Sequence, residues 1–281
     1  MSVWFITGAS RGFGAELVEK ALEAGHQVVA TARTPESVLS RFPAAGESLL
    51  AVPLDVTDEA QVAAAVEAAI KRFGRIDVLV NNAGRGLLGA VEEASDAEVR
   101  AVYDTNVFGL LAVTRAVLPA LRAQGAGHVV NMSSVGGFNG SPGWGIYAST
   151  KFAVEGFSES LSHELKPLGI GVTIVEPGYF RTDFLDASSL HAAQHGIQDY
   201  VNGPAGQTRL KAAAVSHKQP GDPAKGAAAI VSAIDSGKAP LRLQLGGDSL
   251  ASIENKIQRV RTELEAWRQI ALSTDHDIVP A

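Results

Sequence analysis

The sequence has 281 residues, of which 46% are hydrophobic and 19% are charged, a composition typical of a globular protein with a full apolar core. Its 24 basic and 30 acidic residues give a net charge of −6. Because there is no basic tract, the chain is not expected to bind nucleic acid or an anionic membrane. The absence of cysteine excludes disulfides, thiolate catalysis and cysteine-ligated metals.

The N-terminus and the hydropathy pattern bear on location. Residues 3–6 form a short apolar run with no basic region before it and no cleavage site after it, unlike a signal peptide. No uninterrupted apolar run reaches the roughly 18 to 20 residues needed to cross a bilayer. We therefore expect a cytoplasmic protein.

Short apolar runs alternate with helical segments over residues 1–175. One helical segment covers about 95–123, with a break near Asp104, and another covers 147–167. This alternation predicts a parallel sheet with helices on both faces. The predicted strands are 2–6, 28–31, 49–53, 77–80, 128–132 and 171–175.

The pattern changes after Gly178. Residues 179–220 lack clear periodicity and are interpreted as an insertion that covers a substrate. A helix over 222–234 and a strand over 241–245 follow. Residues 249–269 have apolar side chains at three- and four-residue spacing, which predicts an amphipathic C-terminal helix whose apolar stripe packs on the sheet, covers the substrate mouth or forms a dimer contact. We find no repeat or linker, so residues 1–281 are predicted to form a single domain.

A glycine-rich turn lies between the first strand and the first helix. Gly8, Gly12 and Gly14 leave backbone N–H groups and a helix N-terminus free to face a pyrophosphate. By itself this motif is also compatible with an ordinary tight turn.

A second group of residues carries acid–base chemistry. Tyr147 and Lys151 are four residues apart and share one helix face, and Ser134 follows the strand at 128–132. A phenol, an ammonium and a hydroxyl in this arrangement could exchange a proton with a substrate oxygen. In isolation, the Tyr147–Lys151 pair could instead be a surface helix pair.

Several motifs occur together in one order and spacing: TGASRGFG at 7–14, NNAG at 81–84, Asn106, Ser134, YASTK at 147–151 and PG at 177–178. In these residues the chain resembles the short-chain dehydrogenase/reductase family, in its compact single-domain class. The resemblance covers residues 1 to about 182, and more loosely to about 245. It implies a doubly wound Rossmann-type α/β sandwich with a mostly parallel seven-stranded sheet. It also implies an oxidoreductase that interconverts a ketone or aldehyde and an alcohol.

The resemblance also implies a catalytic tetrad of Asn106, Ser134, Tyr147 and Lys151. Tyr147 would be the general acid/base, and Ser134 would bind the substrate oxygen. Lys151 would lower the phenol pKa from near 10 by roughly 2 to 3 units and hold the nicotinamide ribose. Asn106 would hold a water that links Lys151 to solvent.

The second strand bears on the choice of cofactor. Ala32 stands where an NAD-dependent enzyme usually carries a carboxylate, whereas Arg33 and Arg11 fit a 2′-phosphate. The sequence therefore predicts NADP(H) in preference to NAD(H). The expected cofactor-binding residues, from the glycine turn to the loop that contacts the nicotinamide, are Gly8, Ser10, Arg11, Gly12, Phe13, Gly14, Arg33, Asp55, Val56, Asn82, Ala83, Gly84, Asn106, Tyr147, Lys151, Pro177, Gly178 and Thr182. In the family, a triplet like LDV at 54–56 contacts the adenine, which implies a hydrogen bond from the adenine to Asp55. Thr182 is expected to reach the carboxamide of the nicotinamide.

The residues expected to wall the substrate are mostly apolar: Leu88, Val135, Phe138, Trp144, Tyr179 and Phe184. We therefore predict a hydrophobic or aromatic small-molecule substrate. The seven histidines show no metal pattern, since the pair at 191 and 195 has no third ligand at recognisable spacing. No metal site is predicted.

Alternatives to this interpretation differ in function class. The same fold could serve as a catalytically silent sensor of NADP(H). Among enzymes, a 3-oxoacyl reductase and a hydroxysteroid dehydrogenase are both compatible with the sequence. The family usually associates through the helices that here contain Asn106 and Tyr147, so a homodimer or homotetramer is expected. The tail after residue 272 is expected to be mobile or to lie against a neighbour.

Overall fold

A seven-stranded parallel sheet forms the centre of the protein, whose computed structural model describes residues 1–276. A separate two-stranded sheet pairs Gly86–Leu88 with Leu190–Ala192. Within residues 1–276, the strands in chain order are β1 (Val3–Ile6), β2 (Gln27–Ala32), β3 (Leu49–Pro53), β4 (Val78–Asn81), β5 (Gly86–Leu88), β6 (Gly127–Met132), β7 (Ile170–Pro177), β8 (Leu190–Ala192) and β9 (Arg242–Leu245). The order across the main sheet is β3-β2-β1-β4-β6-β7-β9.

Helices cover both faces of this sheet. They are α1 (Gly12–Glu23), α2 (Glu36–Arg41), α3 (Glu59–Phe73), α4 (Asp96–Tyr103), α5 (Leu110–Gln124), α6 (Val135–Phe138), α7 (Gly145–Leu165), α8 (Gln198–Val201), α9 (Pro204–Val215), α10 (Pro223–Asp235) and α11 (Gly247–Leu272). A π-helical segment, Asp104–Gly109, joins α4 to α5.

Strand β1 shows why the sheet is buried on both sides. Successive side chains of a strand point to opposite faces. Trp4 and Ile6 accordingly join the apolar core under α1 and α10, whereas Val3 and Phe5 join the core under α3 and α5. Strands buried on both faces are nearly continuous apolar runs, which is why the sequence pattern located them.

The α/β class, the seven strands and the parallel arrangement predicted from the sequence are confirmed. The expected helix break near Asp104 is the π-helical segment. Residues 179–220 were predicted without regular structure, but they contain β8, α8 and α9. The prediction for the end of the tail falls on residues 277–281, outside the described residues.

Helix α11 packs against the rest of the fold through only part of its apolar stripe. Ser249 and Ile253 are buried where its first turns pack, and α11 contacts α6. The rest of the stripe is largely exposed, including Leu250, Ile257 and Leu264. The reason is geometric, since only the first turns of the 26-residue helix meet the rest of the fold.

One helical stretch, Asp96–Gln124, is long and apolar enough to cross a membrane by length and composition, although it contains no uninterrupted apolar run of that length. Half of its most apolar window is buried inside the fold. Val113, Val117 and Leu121 within it belong to the core beneath the sheet, as expected for a helix of a globular core.

Candidate active site

A cavity of about 1020 Å³ opens at the carboxyl ends of β1, β4, β6 and β7. Ligands of open parallel sheets bind at this edge, where the strand order reverses between β1 and β4. One end is lined by the glycine turn and the ends of β2 and β3. The other end is lined by the loop after β6, the start of α7 and the insertion, residues 179–220.

The glycine turn is built for close backbone approach. Gly8 has a φ of +65°, and a Cβ at Gly14 would overlap the carbonyl oxygen of Gly8. Asn82 holds the turn by donating from Nδ2 to the carbonyl oxygens of Thr7 (2.9 Å) and Gly8 (3.0 Å). Since α1 begins at Gly12, its free N–H groups face the cavity beside this turn, which fits a pyrophosphate.

The NNAG motif divides between two roles. Asn82, Ala83 and Gly84 line the cavity, as expected. Asn81, the first residue of the motif, does not line the cavity. Its side chain is buried below the sheet edge and donates to Thr114 and Asn131. The reason is the alternation of a strand, because Asn81 is the last residue of β4.

The two arginines predicted to bind a 2′-phosphate have different surroundings. Arg33 is exposed and lines the cavity next to Ala32. Arg11 also lines the cavity, but its guanidinium donates to Ser188 Oγ (2.7 Å), the Ser188 carbonyl (2.9 Å) and Ser189 Oγ (2.8 Å). Arg11 is therefore bound to the insertion, a contact that the sequence did not predict.

Asp55 lies at the end of β3 and lines the cavity with Val56. Its Oδ1 accepts from the backbone N–H of Thr57 (3.0 Å) and from the Thr57 hydroxyl (2.7 Å). The carboxylate is thus fixed by a local turn, and its second oxygen is the group that could reach an adenine.

Three of the four predicted catalytic residues line the cavity together: Ser134, Tyr147 and Lys151. Ser134 caps α6, where its Oγ accepts from the Gly136 N–H at 3.0 Å. Tyr147 and Lys151 lie on α7, and the Lys151 Nζ is 5.8 Å from the centroid of the Tyr147 ring. That Nζ also donates to the Met132 carbonyl at 2.7 Å, which fixes the ammonium at the end of β6.

Burial controls the pKa values of this group. It raises the pKa of Tyr147, and a hydrogen bond with Ser134 acts in the opposite direction. This is the reverse of the lowering expected from Lys151, because the loss of hydration outweighs other contributions. Burial lowers the pKa of Lys151 to about 8, opposed by the negative charge of Glu155.

Asn106 belongs to the π-helical segment and is 1% exposed. Its Oδ1 accepts from the Arg85 N–H and its Nδ2 donates to the Arg85 carbonyl, each at 2.9 Å. The side chain therefore fixes the strand that follows NNAG. Asn106 is not among the residues that line the cavity, but its Oδ1 and the Lys151 Nζ both lie within 4 Å of the space beside Gly84.

Aromatic side chains surround the phenol of Tyr147. Trp144 packs edge-on at 5.6 Å between ring centroids, and Phe184 packs at 5.4 Å. Val135 and Tyr179 also line the cavity, as predicted. Leu88 lies behind this surface in the same buried cluster.

Phe138 does not line the cavity, contrary to prediction. The loop that contains it forms the short helix α6, which packs on α7 and α11. Sequence reasoning missed several polar lining residues, among them Asn139, Gln219, Asp248 and Ser252. The last two lie on α11, whose start joins the cavity wall, and no motif marked them.

The remaining expected cofactor residues, Ser10, Phe13, Pro177, Gly178 and Thr182, all line the cavity. Thr182 packs within 4 Å of the space above Gly12. No metal is predicted from the sequence. Among residues 1–276, Asp183, Asp186 and His217 place potential ligand atoms within 4.8 Å of one another. The His217–Asp186 pair at 3.0 Å accounts for part of this grouping without an ion.

Comparison with known proteins identifies the class. The family model of the short chain dehydrogenases matches residues 2–193. The chain is 38% identical over 274 residues to an oxidoreductase, BOA17, of Botryotinia fuckeliana, covering 97% of this chain and 98% of that protein. It is 42% identical over 197 residues to the 3-ketodihydrosphingosine reductase of Bacteroides thetaiotaomicron, covering 70% of this chain and 71% of that protein.

Solved structures agree. A short-chain dehydrogenase from Streptomyces avermitilis has a TM-score of 0.91 and 42% identity, covering 98% of this chain and 100% of that one. A short-chain dehydrogenase/reductase from Burkholderia phymatum, in complex with NAD, has a TM-score of 0.80 and 27% identity, covering 100% of this chain and 98% of that one. The closed form of serine dehydrogenase, complexed with NADP+, has a TM-score of 0.71 and 27% identity, covering 86% of this chain and 94% of that one.

The chain belongs to the short-chain dehydrogenase/reductase family. It is an oxidoreductase acting on CH–OH and C=O groups with a nicotinamide dinucleotide.

Proposed function

We propose that this protein is an NADP(H)-dependent reductase of hydrophobic or aromatic ketones and aldehydes, with Tyr147 as general acid/base. The observation that carries the proposal is the position of the Tyr147 phenol. It is 8% exposed and lies between apolar ring faces at the inner end of a cavity whose other end is a glycine-lined turn. The cavity volume accommodates a dinucleotide and a small substrate together.

The residues divide the chemistry between them. The bound dinucleotide would supply or accept a hydride. Ser134 would donate a hydrogen bond to the substrate oxygen, and Tyr147 would transfer the proton to that oxygen during reduction. Burial raises the pKa of Tyr147 and so makes the phenol a weaker acid, which means that its proton transfer depends on groups that stabilise the phenolate. Lys151, fixed by the Met132 carbonyl, would stabilise the phenolate that the transfer leaves.

The preference for NADP(H) is supported by Ala32 and Arg33 at the end of β2. A carboxylate at position 32 would repel a 2′-phosphate, whereas the exposed guanidinium of Arg33 would attract it. Relatives of known structure hold NAD or NADP+, so the family alone does not set the preference. Arg11 would contribute only if its three bonds to Ser188 and Ser189 were exchanged for phosphate oxygens.

The preference for apolar substrates is supported by the wall around Tyr147. Trp144, Phe184 and Leu185 present carbon surface near the phenol. A polyol would lose hydration against this surface without equivalent hydrogen bonds. The 3-oxoacyl and hydroxysteroid classes are both compatible with such a wall.

Three further parts of the proposal concern the molecule as a whole. We take residues 1–281 as one domain, since one sheet and its two cores unite the described elements. We take the insertion as the cover of the substrate end, because Phe184 and Leu185 line the cavity from it. We also propose a homodimer or homotetramer in the cytoplasm.

Two variants test the proposal. Replacing Tyr147 with Phe should lower kcat for ketone reduction by about 10²- to 10⁴-fold while NADPH binding, followed by its fluorescence, is retained. Full activity in Tyr147→Phe would contradict the assigned role, and a wild-type protein that binds NADPH without reducing any ketone would favour the sensor.

The cofactor prediction is tested separately. The double variant Ala32→Asp with Arg33→Leu should reverse the ratio of kcat/KM for NADPH to that for NADH. Lys225→Leu, which removes a charge on α10 outside the cavity lining, is the control. An unchanged preference for NADPH in the double variant would contradict the assignment.

A further inference from the structure

The guanidinium of Arg11 is bound by two serines of the insertion. Its Nη1 donates to Ser188 Oγ at 2.7 Å, and its Nη2 donates to the Ser188 carbonyl at 2.9 Å and to Ser189 Oγ at 2.8 Å. All three acceptors are neutral oxygens. The positive charge of Arg11 is therefore held at the cavity wall by groups that carry no negative charge.

These three bonds use the part of the guanidinium that would bind a phosphate. An arginine binds an oxyanion through two parallel bonds, either from Nη1 and Nη2 or from Nε and Nη2. Both pairs include Nη2, whose two hydrogens are already donated to Ser188 and Ser189. Arg11 therefore cannot bind a phosphate through two bonds until the serines release it.

The backbone of the two serines is held in place without Arg11. The Ser189 carbonyl accepts from the N–H of Gly86, the first residue of β5, at 2.8 Å. The Ser189 N–H donates to the Asp186 carbonyl, also at 2.8 Å. The serine oxygens are thus presented by a turn that is fixed where β5 and β8 pair. Acceptors that are fixed in advance lose little freedom when they bind a cation, so they compete well for it.

A 2′-phosphate would meet this competition. Arg11 and Arg33 line the same cavity, and a dianionic phosphate makes stronger bonds to a guanidinium than neutral oxygens do. We propose that Ser188 and Ser189 compete with the 2′-phosphate of NADP(H) for Arg11, and that they thereby reduce the preference for NADP(H) over NAD(H). The two serines are specificity-determining residues of the cofactor site. This inference rests on the proposed preference for NADP(H).

The test removes the two hydroxyls and follows cofactor binding. The double variant Ser188→Ala with Ser189→Ala should lower the Kd for NADPH about two- to fivefold and leave the Kd for NADH unchanged, because only NADPH carries the phosphate that the released Arg11 can bind. Both constants are measured from the fluorescence of the bound reduced cofactor. Ser216→Ala is the control, because its hydroxyl also belongs to the insertion but bonds Asp186 at 3.2 Å, and it should change neither constant.

The adenosine end of the cofactor isolates the effect from the rest of the cavity. 2′,5′-ADP carries the 2′-phosphate and 5′-AMP does not, and calorimetry gives the Kd of each. The double serine variant should bind 2′,5′-ADP more tightly by the same factor as NADPH, with no change for 5′-AMP. In an Arg11→Leu background the serine substitutions should have no effect on either, since the competition requires the guanidinium.

The direction of the change separates competition from a purely structural contact. If the serines only fastened the insertion, their loss would weaken the binding of both reduced cofactors or of neither, and either result overturns this inference while the proposed function stands. Equal tightening of NADPH and NADH also overturns it, because Arg11 would then bind a group that both cofactors share. If the wild type and the double serine variant both bound NADH as tightly as NADPH, the proposed preference for NADP(H) would fail, and the inference with it.

Discussion

The charge state of Lys151 depends on its neighbours inside the fold. Its ammonium is buried, and Glu155 follows one helical turn later on α7. Glu155 is itself buried and lies 3.2 Å from Arg242, which also contacts Glu176 at 3.3 Å. Burial raises the pKa of Glu155 to about 7, so this carboxylate gains most of its charge as the pH rises through neutrality.

We predict that ketone reduction loses rate as the pH rises through about 8. Lys151 has a pKa of about 8 and stabilises a phenolate only when it is protonated, so its contribution is present below that value and lost above it. Removing the charge with Glu155→Gln should lower the pKa of Lys151. The alkaline limb of the kcat/KM profile should then move to lower pH.

Glu159→Gln is the matched control, because Glu159 is also near Arg242 but is half exposed. Its pH profile should coincide with that of the wild type. An alkaline limb that stays in place in Glu155→Gln would show that Glu155 does not set the charge of Lys151.

The sequence identified the residue types of the site but not all their environments. The order of the motifs was sufficient to bring Ser134, Tyr147 and Lys151 together, because the topology of a parallel sheet fixes where strand ends lie. The direction of the Tyr147 pKa and the binding of Arg11 to Ser188 depend on burial by the insertion, whose path has no periodic signal.

At the scale of elements, the insertion is held by a buried carboxylate. Glu93 is fully buried and accepts from the N–H groups of Ala90 (2.7 Å) and Ile197 (3.0 Å). It also forms an ion pair with Arg209 on α9. The pKa of Glu93 is lowered despite its burial, because these donors stabilise the charged form.

We predict that Glu93→Gln loosens the insertion specifically. The amide cannot accept from both backbone groups and also pair with the guanidinium, and it leaves Arg209 uncompensated at a cost of about 3–5 kcal/mol. Limited proteolysis within residues 190–215 should become faster, and the KM for the ketone should rise.

The comparison variant is Asp96→Asn, which removes an exposed ion pair with Arg100 on α4 and should change neither quantity. Equal acceleration of hydrogen exchange in the central strands would indicate global destabilisation, and no acceleration within 190–215 would contradict the anchoring role of Glu93.

Strands β5 and β8 show why some elements could not be predicted from the sequence. Each has three residues, too few for a recognisable period, and they pair in parallel across about a hundred residues of chain. The available signal was Gly86, where a Cβ would lie 2.7 Å from the Leu190 side chain. A glycine can mark such a close approach, but it does not identify the partner.

For the whole molecule, the exposed apolar side chains bear on the proposed association with a second copy. Phe108, beside Asn106, is 59% exposed, and Phe152, next to Lys151, is 45% exposed. Large aromatic side chains on neighbouring helices, exposed to water, are typical of an interface. Leu264 and Trp267 on the projecting half of α11 form a separate apolar surface.

We predict that the protein is at least a dimer through the surface that contains Phe108 and Phe152. Phe152→Glu would bury two like charges at a two-fold interface, so the mass from light scattering should fall to that of a monomer, 29.3 kDa. Because Phe152 adjoins Lys151, the same change should weaken NADPH binding in proportion to the monomer formed.

Leu264→Glu places the same charge on α11 and should preserve the dimer, although a tetramer that used α11 would be reduced to dimers. If Leu264→Glu were a monomer and Phe152→Glu kept its assembly, the principal interface would lie on α11 and not on the surface that contains Phe152. That result would also explain why the stripe of this helix finds no partner of its own beyond its first turns.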